Sequence, residues 1–369
     1  MRIGIILHGP EIVDVGSAEK IIDIFKKEHE VTARLGGTMG RTAVLDAGLE
    51  NVIDISEGLT PSETIIAMKN YIDLAILLNH GKTLDTGRYF GRIVASKLDN
   101  LLPFVHIESP DNNGRIIYYY PPAKRCAEFV RDFLAKYDGI YDLPVELGIP
   151  EPSHIRIDGE SVIRSIGGAF TGENIRLDGI VIGETTNPDI EIVCRDGKII
   201  RLKGIKVKPH GLEKLENRMI DLFTAKVKTG GIRRTRSKPR IRDINSKKSN
   251  NKIAIIDHAA ESTFELVQDA GLVITVGDDT TTIASDILAR LGIPVIGIID
   301  GDMDNVLENT VVPEGSMIIR VLPGFDDVVG REISQEIMQG KQQFRHDKDE
   351  LTAKILTLAE KYVVEVTYY

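Results

Sequence analysis

The sequence predicts an α/β protein, two Rossmann-like parallel-sheet units with a small antiparallel β domain between them. Three observations predict it. Continuous apolar runs alternate with amphipathic stretches at both ends of the chain, Asp-Gly pairs punctuate a β-prone middle, and the polar chemistry falls directly after the apolar runs.

Residues 1–150 repeat an apolar run, a turn and an amphipathic stretch. The runs are 3–7, 31–35, 52–55, 74–78 and 104–107, and unbroken rather than alternating apolarity is the mark of strands buried on both faces. Between them, 17–27, 40–47, 62–70 and 87–98 have helical spacing, and Thr60-Pro61-Ser62-Glu63 is a helix start with Pro early and Glu following. This first segment is therefore read as a βαβ-type domain. After Pro144, Pro150 and Pro152 the character changes. Asp158-Gly159, Asp178-Gly179 and Asp196-Gly197 each separate β-prone runs, and 190–202 reads as a hairpin on a type I′ Asp-Gly turn. Residues 153–211 are thus expected to form the small β domain, and 212–252 a helix (212–226) and a basic linker. From 253 to 369 a second α/β domain is expected, with strands at 253–256, 272–276, 295–299 and 317–322 and helices at 260–268, 281–291 and 327–338.

Composition narrows the class. At 369 residues the chain exceeds what one core usually fills. Cys126 and Cys194 have no ligand spacing and no partner motif, which excludes a disulfide framework or zinc knuckle and fits a reducing cytoplasm. The opening apolar run is too short for a signal peptide, and nowhere do eighteen apolar residues run together, so no membrane span is expected. The net charge of −9 is uneven, because 226–252 holds eleven Lys or Arg and one Asp, a local +10 that leaves −19 elsewhere. With Gly230-Gly231, Pro239 and several Ser and Asn but no interleaved aromatics, this run reads as a mobile linker ahead of a nucleic-acid arm.

In open parallel sheets ligands sit beyond the carboxyl ends of the strands, so the residues after each run are the candidates for chemistry. In the C-terminal part these are Asp257-His258, Gly277-Asp278-Asp279-Thr280-Thr281, Asp300-Gly301-Asp302-Met303-Asp304 and Pro323-Gly324-Phe325-Asp326-Asp327. One such Asp does no more than cap a helix or shape a turn. A row of them on one edge repels itself unless a cation intervenes, and magnesium suits carboxylates that leave room for water and phosphate. Asp278, Asp279, Asp300 and Asp302 are the expected Mg2+ ligands.

The N-terminal part offers a different set: His8-Gly9-Pro10-Glu11, Gly36-Gly37-Thr38-Met39-Gly40-Arg41, Asn79-His80-Gly81-Lys82-Thr83 and His106-Ile107-Glu108-Ser109. Gly-rich turns that open helices present backbone N–H groups to anions, and Arg41 and Lys82 add charge. Either an anion site or plain tight turns fits these residues. Neither nucleotide motif is present, since Ile76 stands where a P-loop needs Gly and 36–41 lacks the Gly-x-Gly-x-x-Gly spacing. The histidines lack ligand spacing, and Tyr118-Tyr119-Tyr120 with Pro121-Pro122 reads as packing and a turn.

These motifs carry three resemblances. Val276-Gly277-Asp278-Asp279-Thr280, with Gly292-Ile293-Pro294-Val295-Ile296-Gly297 after the helix, resembles the Gly-Gly-Asp-Gly-Thr region of NAD kinases and phosphofructokinases, with Val276 and Asp279 in place of two glycines. That likeness implies a base or metal role for Asp278. Gly301-Asp302-Met303-Asp304-Asn305 looks like the magnesium-associated Gly-Asp-x-Asp-Ser element of thiamine and pterin pyrophosphokinases, with Asn305 for Ser. Across most of the chain, the His8, Gly36, Asp257 and Val276 motifs together resemble an uncharacterised conserved family of methanogenic archaea, a domain of unknown function.

The expectation is a cytoplasmic, magnesium-dependent phosphoryl-transfer or phosphohydrolase-type enzyme, kinase- or pyrophosphokinase-like, acting on a nucleotide or phosphorylated coenzyme. Asp278 and Asp302 are the catalytic candidates. Ligand contacts are assigned to His8, Gly36, Gly37, Thr38, Gly40, Arg41, His80, Lys82, Gly277 and Thr280. The alternative is a non-catalytic nucleotide- or coenzyme-binding regulatory protein.

Overall fold

The structure is a computed structural model that describes residues 1–369 apart from 38–39, 138–142, 152–154, 179, 214, 217, 230–239, 241–250, 258–259, 261–262, 268 and 302–310. The chain divides into two compact units, Met1–Lys238 and Pro239–Tyr369. The fold is mixed α/β, as the alternation of apolar runs and amphipathic stretches predicts.

The first unit opens with β1 (Arg2–His8), α1 (Glu11–Asp14), α2 (Ser17–Lys26), β2 (Glu30–Leu35), α3 (Arg41–Ala47), β3 (Ile53–Asp54), α4 (Pro61–Met68), β4 (Leu74–Asn79), α5 (Leu84–Leu98), β5 (Phe104–Glu108), β6 (Arg115–Tyr118), α6 (Lys124–Tyr137) and β7 (Val145–Leu147). The sheet order is β3-β2-β1-β4-β5-β6-β7, parallel from β3 through β5 and antiparallel between β5 and β6. Successive strand residues feed opposite faces: Ile5, Leu7, Ile76 and Leu78 join one apolar cluster, and Ile6, Ala75 and Leu77 another. That two-faced burial is why the runs are continuous in sequence. The Thr60 capping box forms, with Glu63 bonded back to the Thr60 N–H. After β1, β2 and β3 the chain crosses to the other side of β1 to lay down β4. The strand order therefore reverses between β1 and β4, the position where doubly wound sheets open a crevice.

An antiparallel region follows in the same unit: β8 (Ile155–Asp158), β9 (Ser161–Ile166), β10 (Asn174–Leu177), β11 (Ile180–Thr185), β12 (Ile190–Arg195), β13 (Lys198–Lys203), β14 (Ile205–Val207), α7 (Pro209–Glu213) and β15 (Val227–Thr229). It makes two four-stranded sheets, β14-β11-β10-β15 and β13-β12-β9-β8, around one apolar cluster containing Ile175, Ile182, Ile192 and Cys194. Asp196 and Gly197 both have positive φ, as the I′ turn of the expected hairpin requires.

Two expectations fail here. Residues 212–226 are not one helix: α7 ends at Glu213, Asp221 turns the chain by accepting from the Phe223 N–H and the Thr224 hydroxyl, and Leu215, Ile220, Leu222 and Ala225 pack into the β core. Tertiary packing overrides helical spacing there. The basic run does not begin as a linker either, because residues 227–229 form β15 and pair with β10; most of the rest of the run, 230–239 and 241–250, lies outside the described residues.

The second unit contains β16 (Lys252–Asp257), α8 (Thr263–Leu266), β17 (Leu272–Val276), α9 (Asp278–Leu291), β18 (Val295–Ile299), β19 (Met317–Val321), α10 (Asp326–Glu332), β20 (Gln343–Arg345), α11 (Lys348–Ala359) and β21 (Val363–Tyr368). The order β20-β16-β17-β18-β19-β21 is parallel from β16 to β19, with an antiparallel strand on each edge. Among these parallel strands the order never reverses. The helix expected over 327–338 begins one residue earlier as α10 and ends in a π turn, Ile333–Ile337.

Candidate functional site

In the second unit, β17, β18 and β19 are hydrogen-bonded neighbours, so the residues after them emerge side by side. Asp278 opens α9, Asp300 follows β18 and Asp326 opens α10. One ligand oxygen from each lies within 4.8 Å of the others. Backbone groups shape the cluster: the Asp300 N–H donates to Asp278 Oδ2 at 3.3 Å and the Gly324 N–H to Asp300 Oδ2 at 2.6 Å. Gly277 holds φ +97 at the turn from β17 into α9, a backbone conformation a side chain would strain.

The expected magnesium set therefore changes. Asp278 and Asp300 come together, and the third member of the cluster is Asp326, which the sequence places in a strand-end string without singling it out. Asp279 is exposed and outside the cluster, because the next residue on a helix turns about 100° away. Asp302 lies outside the described residues. Thr280 is buried in the first turn of α9, and the Gly277 N–H is spent on the Ile298 carbonyl.

The first unit places its expected ligand groups differently from the sequence reading. Gly36 and Gly37 donate their N–H groups to the Leu7 and Leu59 carbonyls, so neither is left for an anion. Gly40 packs against the Gly9 carbonyl with no room for a side chain. Arg41 is 1% exposed rather than a surface cation. Lys82 is ion-paired with Glu173, and its ammonium lies over the Phe170 ring, so the antiparallel region occupies it. His80 Nε2 faces Asp111 at 3.3 Å. Thr38 lies outside the described residues.

Among the described residues expected to contact a ligand in this unit, His8 alone joins a polar constellation at the carboxyl edge; its other members Asn79, Gly81, His106, Glu108 and Ser109 lie in the strand-end strings that the sequence offers but carry no expected ligand contact. Glu108, at the end of β5, is fully buried. Its Oε2 accepts from Asn79 Nδ2 at 2.6 Å and His106 Nε2 at 3.1 Å, and its Oε1 from the Gly81 N–H at 2.6 Å and the Ser109 hydroxyl at 2.7 Å. Four donors match the acceptor capacity of an ionised carboxylate. Burial pushes the Glu108 carboxyl upward, but the hydrogen bonds from His106, Asn79 and Gly81 and the His106 charge outweigh it and hold the group below its ordinary value. His106 Nδ1 and the Tyr119 hydroxyl are hydrogen-bonded at 3.0 Å, and burial raises the Tyr119 phenol. Helix α5 can lie this close because Gly87 and Gly91 face the network: a Cβ on Gly87 would overlap the Glu108 carboxylate, and one on Gly91 the Tyr119 hydroxyl and the His106 ring. The signal that could have found these residues is polar residues ending wholly buried strands, above glycines one helical turn apart.

Fold and site define a class: an α/β protein with a buried histidine–glutamate network at one set of parallel strand ends and a three-aspartate cluster at another. The chain belongs to the family described as uncharacterised proteins conserved in archaea, DUF2117, which matches residues 5–341. An uncharacterised protein of Methanocaldococcus jannaschii is 39% identical over 345 residues, 93% of each chain. Among solved structures, L-asparaginase I from Vibrio cholerae aligns over 96% of each chain at 13% identity with a TM-score of 0.19, too slight a likeness to carry an argument. Among the described residues no helix is long and apolar enough to cross a membrane.

Proposed function

We propose that this protein is a magnesium-dependent enzyme that transfers or hydrolyses a phosphoryl group of a nucleotide or phosphorylated coenzyme, with the cation on Asp278, Asp300 and Asp326. The observation that carries this reading is the convergence of three carboxylates, from three neighbouring strand ends, to within 4.8 Å. Like charges so close oppose one another, and a hard divalent cation is a counter-charge that takes carboxylate oxygens while leaving positions for water and phosphate. Phosphoryl chemistry asks mainly for such charge neutralisation and for positioning, not for a special nucleophile. Arg41 and Lys82 take no part in this reading, because the fold engages both elsewhere.

The test is melting of the full chain with and without magnesium, alone and with ATP, alongside a phosphate-release assay. A ligand of the native state raises the melting temperature by mass action. The expected result is a magnesium-dependent rise in wild type that Asp278→Asn and Asp326→Asn each abolish. No rise in wild type under any of these conditions would overturn the proposal. A rise without any turnover would support the non-catalytic binding protein instead.

A further inference from the structure

We infer that His8 is a built hydrogen-bond acceptor: its Nε2 accepts from a small ligand's hydroxyl at the carboxyl edge of the first unit's sheet. This site is separate from the aspartate cluster and does not depend on it.

The argument begins with Glu108. A buried carboxylate with four donors around it is acceptor-only, so Asn79 must turn its amide Nδ2 toward Glu108. Its Oδ1 then faces His8 Nδ1 at 2.8 Å, and an amide oxygen can only accept. His8 therefore carries its proton on Nδ1, and Nε2 holds the lone pair. On the other side His106 Nε2–H donates to Glu108, and His106 Nδ1 shares a hydrogen bond with the Tyr119 hydroxyl. The donors of Asn79 and His106 both point toward one anion, and the lone pair at the outer end of the chain of bonds belongs to His8.

Three further observations place that lone pair where a ligand would meet it. His8 and Asn79 are direct partners in register, at the ends of β1 and β4, where the strand order reverses. The ring is stacked on Phe90 at 3.8 Å between centroids, which fixes its plane. Nε2 has no hydrogen-bond partner among the described residues, yet it is not among the sealed, unpartnered atoms of the molecule, and the residue is only half-buried. An imidazole oriented by an asparagine, with its second nitrogen open, is the arrangement of a general base. The ligand hydroxyl keeps its O–H bond and donates a hydrogen bond to the Nε2 lone pair. The charged or titratable groups facing His8 are Glu108 and His106 from β5; β4 contributes Asn79 and α5 contributes Phe90.

The test uses the full chain labelled with 15N-histidine, with diethyl pyrocarbonate as a probe that attacks unprotonated imidazole nitrogen. Long-range 15N–1H spectra at neutral pH should show His8 as the Nδ1–H tautomer. Mass spectrometry should find His8 modified, His106 untouched, and the His8 rate falling as acid protonates Nε2. D-ribose, which carries several hydroxyls on a compact ring, should slow His8 modification without slowing that of His346. Asn79→Leu removes the orienting oxygen and should turn the single His8 tautomer into a mixture. An Nε2–H tautomer in wild type, or a His8 that resists the reagent in the folded chain, would overturn the acceptor. Equal His8 rates with and without ribose would overturn the hydroxyl ligand. The wild-type spectra decide the tautomer even where the Asn79 variant does not fold.

Discussion

The two parallel sheets solve the same electrostatic problem in opposite ways. Both bring carboxylates to their strand ends. In the first unit one carboxylate, Glu108, sits behind the edge, wholly buried, with its four acceptor positions filled by Asn79, His106, Gly81 and Ser109. In the second, three carboxylates share a small space with backbone N–H donors from Asp300 and Gly324. The difference teaches what each can do. A charge matched by fixed donors is a framework that orients its neighbours, whereas clustered like charges repel one another, which on the function proposed above a cation would relieve. Topology reinforces the contrast: the first sheet reverses its strand order beside His8, and the second runs monotonically through β16 to β19.

The hardest blow to the first framework is a methyl group. Gly91→Ala would gain about 1 kcal/mol of helix propensity on α5. Against that, its Cβ overlaps the Tyr119 hydroxyl and the His106 ring, both buried. Overpacking costs about 1–3 kcal/mol, and losing the Tyr119–His106 hydrogen bond leaves buried groups unsatisfied at about 1–3 kcal/mol more. The expected net loss is about 1–5 kcal/mol by these magnitudes, read from urea unfolding. A variant as stable as wild type would mean that the helix can ride up without cost and that the network is not tightly held.

Next in size is Arg41→Ala. As a surface cation Arg41 would be nearly dispensable, but it is 1% exposed and lies at the start of α3 inside the first core. Truncating so large a buried side chain loses the packing of its stem and leaves its surroundings to repack, about 2–4 kcal/mol by analogy with other buried large-to-small changes. A loss under about 0.5 kcal/mol, the range of ordinary surface changes, would restore the surface reading.

These two residues show where the sequence was legible. Strands came from continuous apolar runs, because burial on both faces writes itself into every residue of a strand such as β4. The Asp196-Gly197 hairpin came from backbone chemistry that only a few residue types permit. The strand ends were legible as a set, since topology delivers them to one edge whatever their identity. What each side chain does there was not. Whether an Arg after a glycine turn points outward or into a core depends on what packs above it, and nothing near Arg41 in sequence records that. Lys82 met Glu173 from a region ninety residues on, and Asp326 joined Asp278 across forty-eight, distances at which local pattern carries no information. Gly87 and Gly91 fall within the helical spacing of 87–98, which gives neither of them a role. Their role, making room for a carboxylate and a phenol, appears once β5 and β6 are beneath them.

A smaller effect belongs to the second unit. Asp326→Asn relieves repulsion from Asp278 and Asp300, yet it also removes a favourable charge from the first turn of α10. The helix-end contribution is about 0.3–1 kcal/mol, and relief of like charges is of similar size and opposite sign. Without magnesium the variant should therefore unfold within about 1 kcal/mol of wild type. A loss of several kcal/mol would show that Asp326 is held by the fold as firmly as Glu108 is, and the contrast between the two edges would disappear.

The least of the expected effects is in the pH profile, and it separates the outer end of the first network from its centre. Burial lowers the His8 pKa, ahead of the opposing influence of Asn79 and Glu108. A folded value below the unfolded one, about 6.5, means that the unfolded chain binds more protons, so this contribution is fully present above that pH and is lost as pH falls toward the folded value. Glu108 is also depressed, but its window opens only below the unfolded carboxyl value of about 4.3. As pH falls below about 6.5, then, the unfolded chain's His8 takes up a proton that the folded chain resists, while Glu108 does not contribute until the pH is below about 4.3. His29, which burial also lowers, contributes in the same window. The melting temperature of wild type should decline across that interval, and His8→Gln should decline less steeply while keeping the slope due to His29. Parallel profiles would place His8 in ordinary solvent, detached from the buried carboxylate. Convergence of the two profiles only below about pH 4.5 would instead assign the acid sensitivity to Glu108 itself.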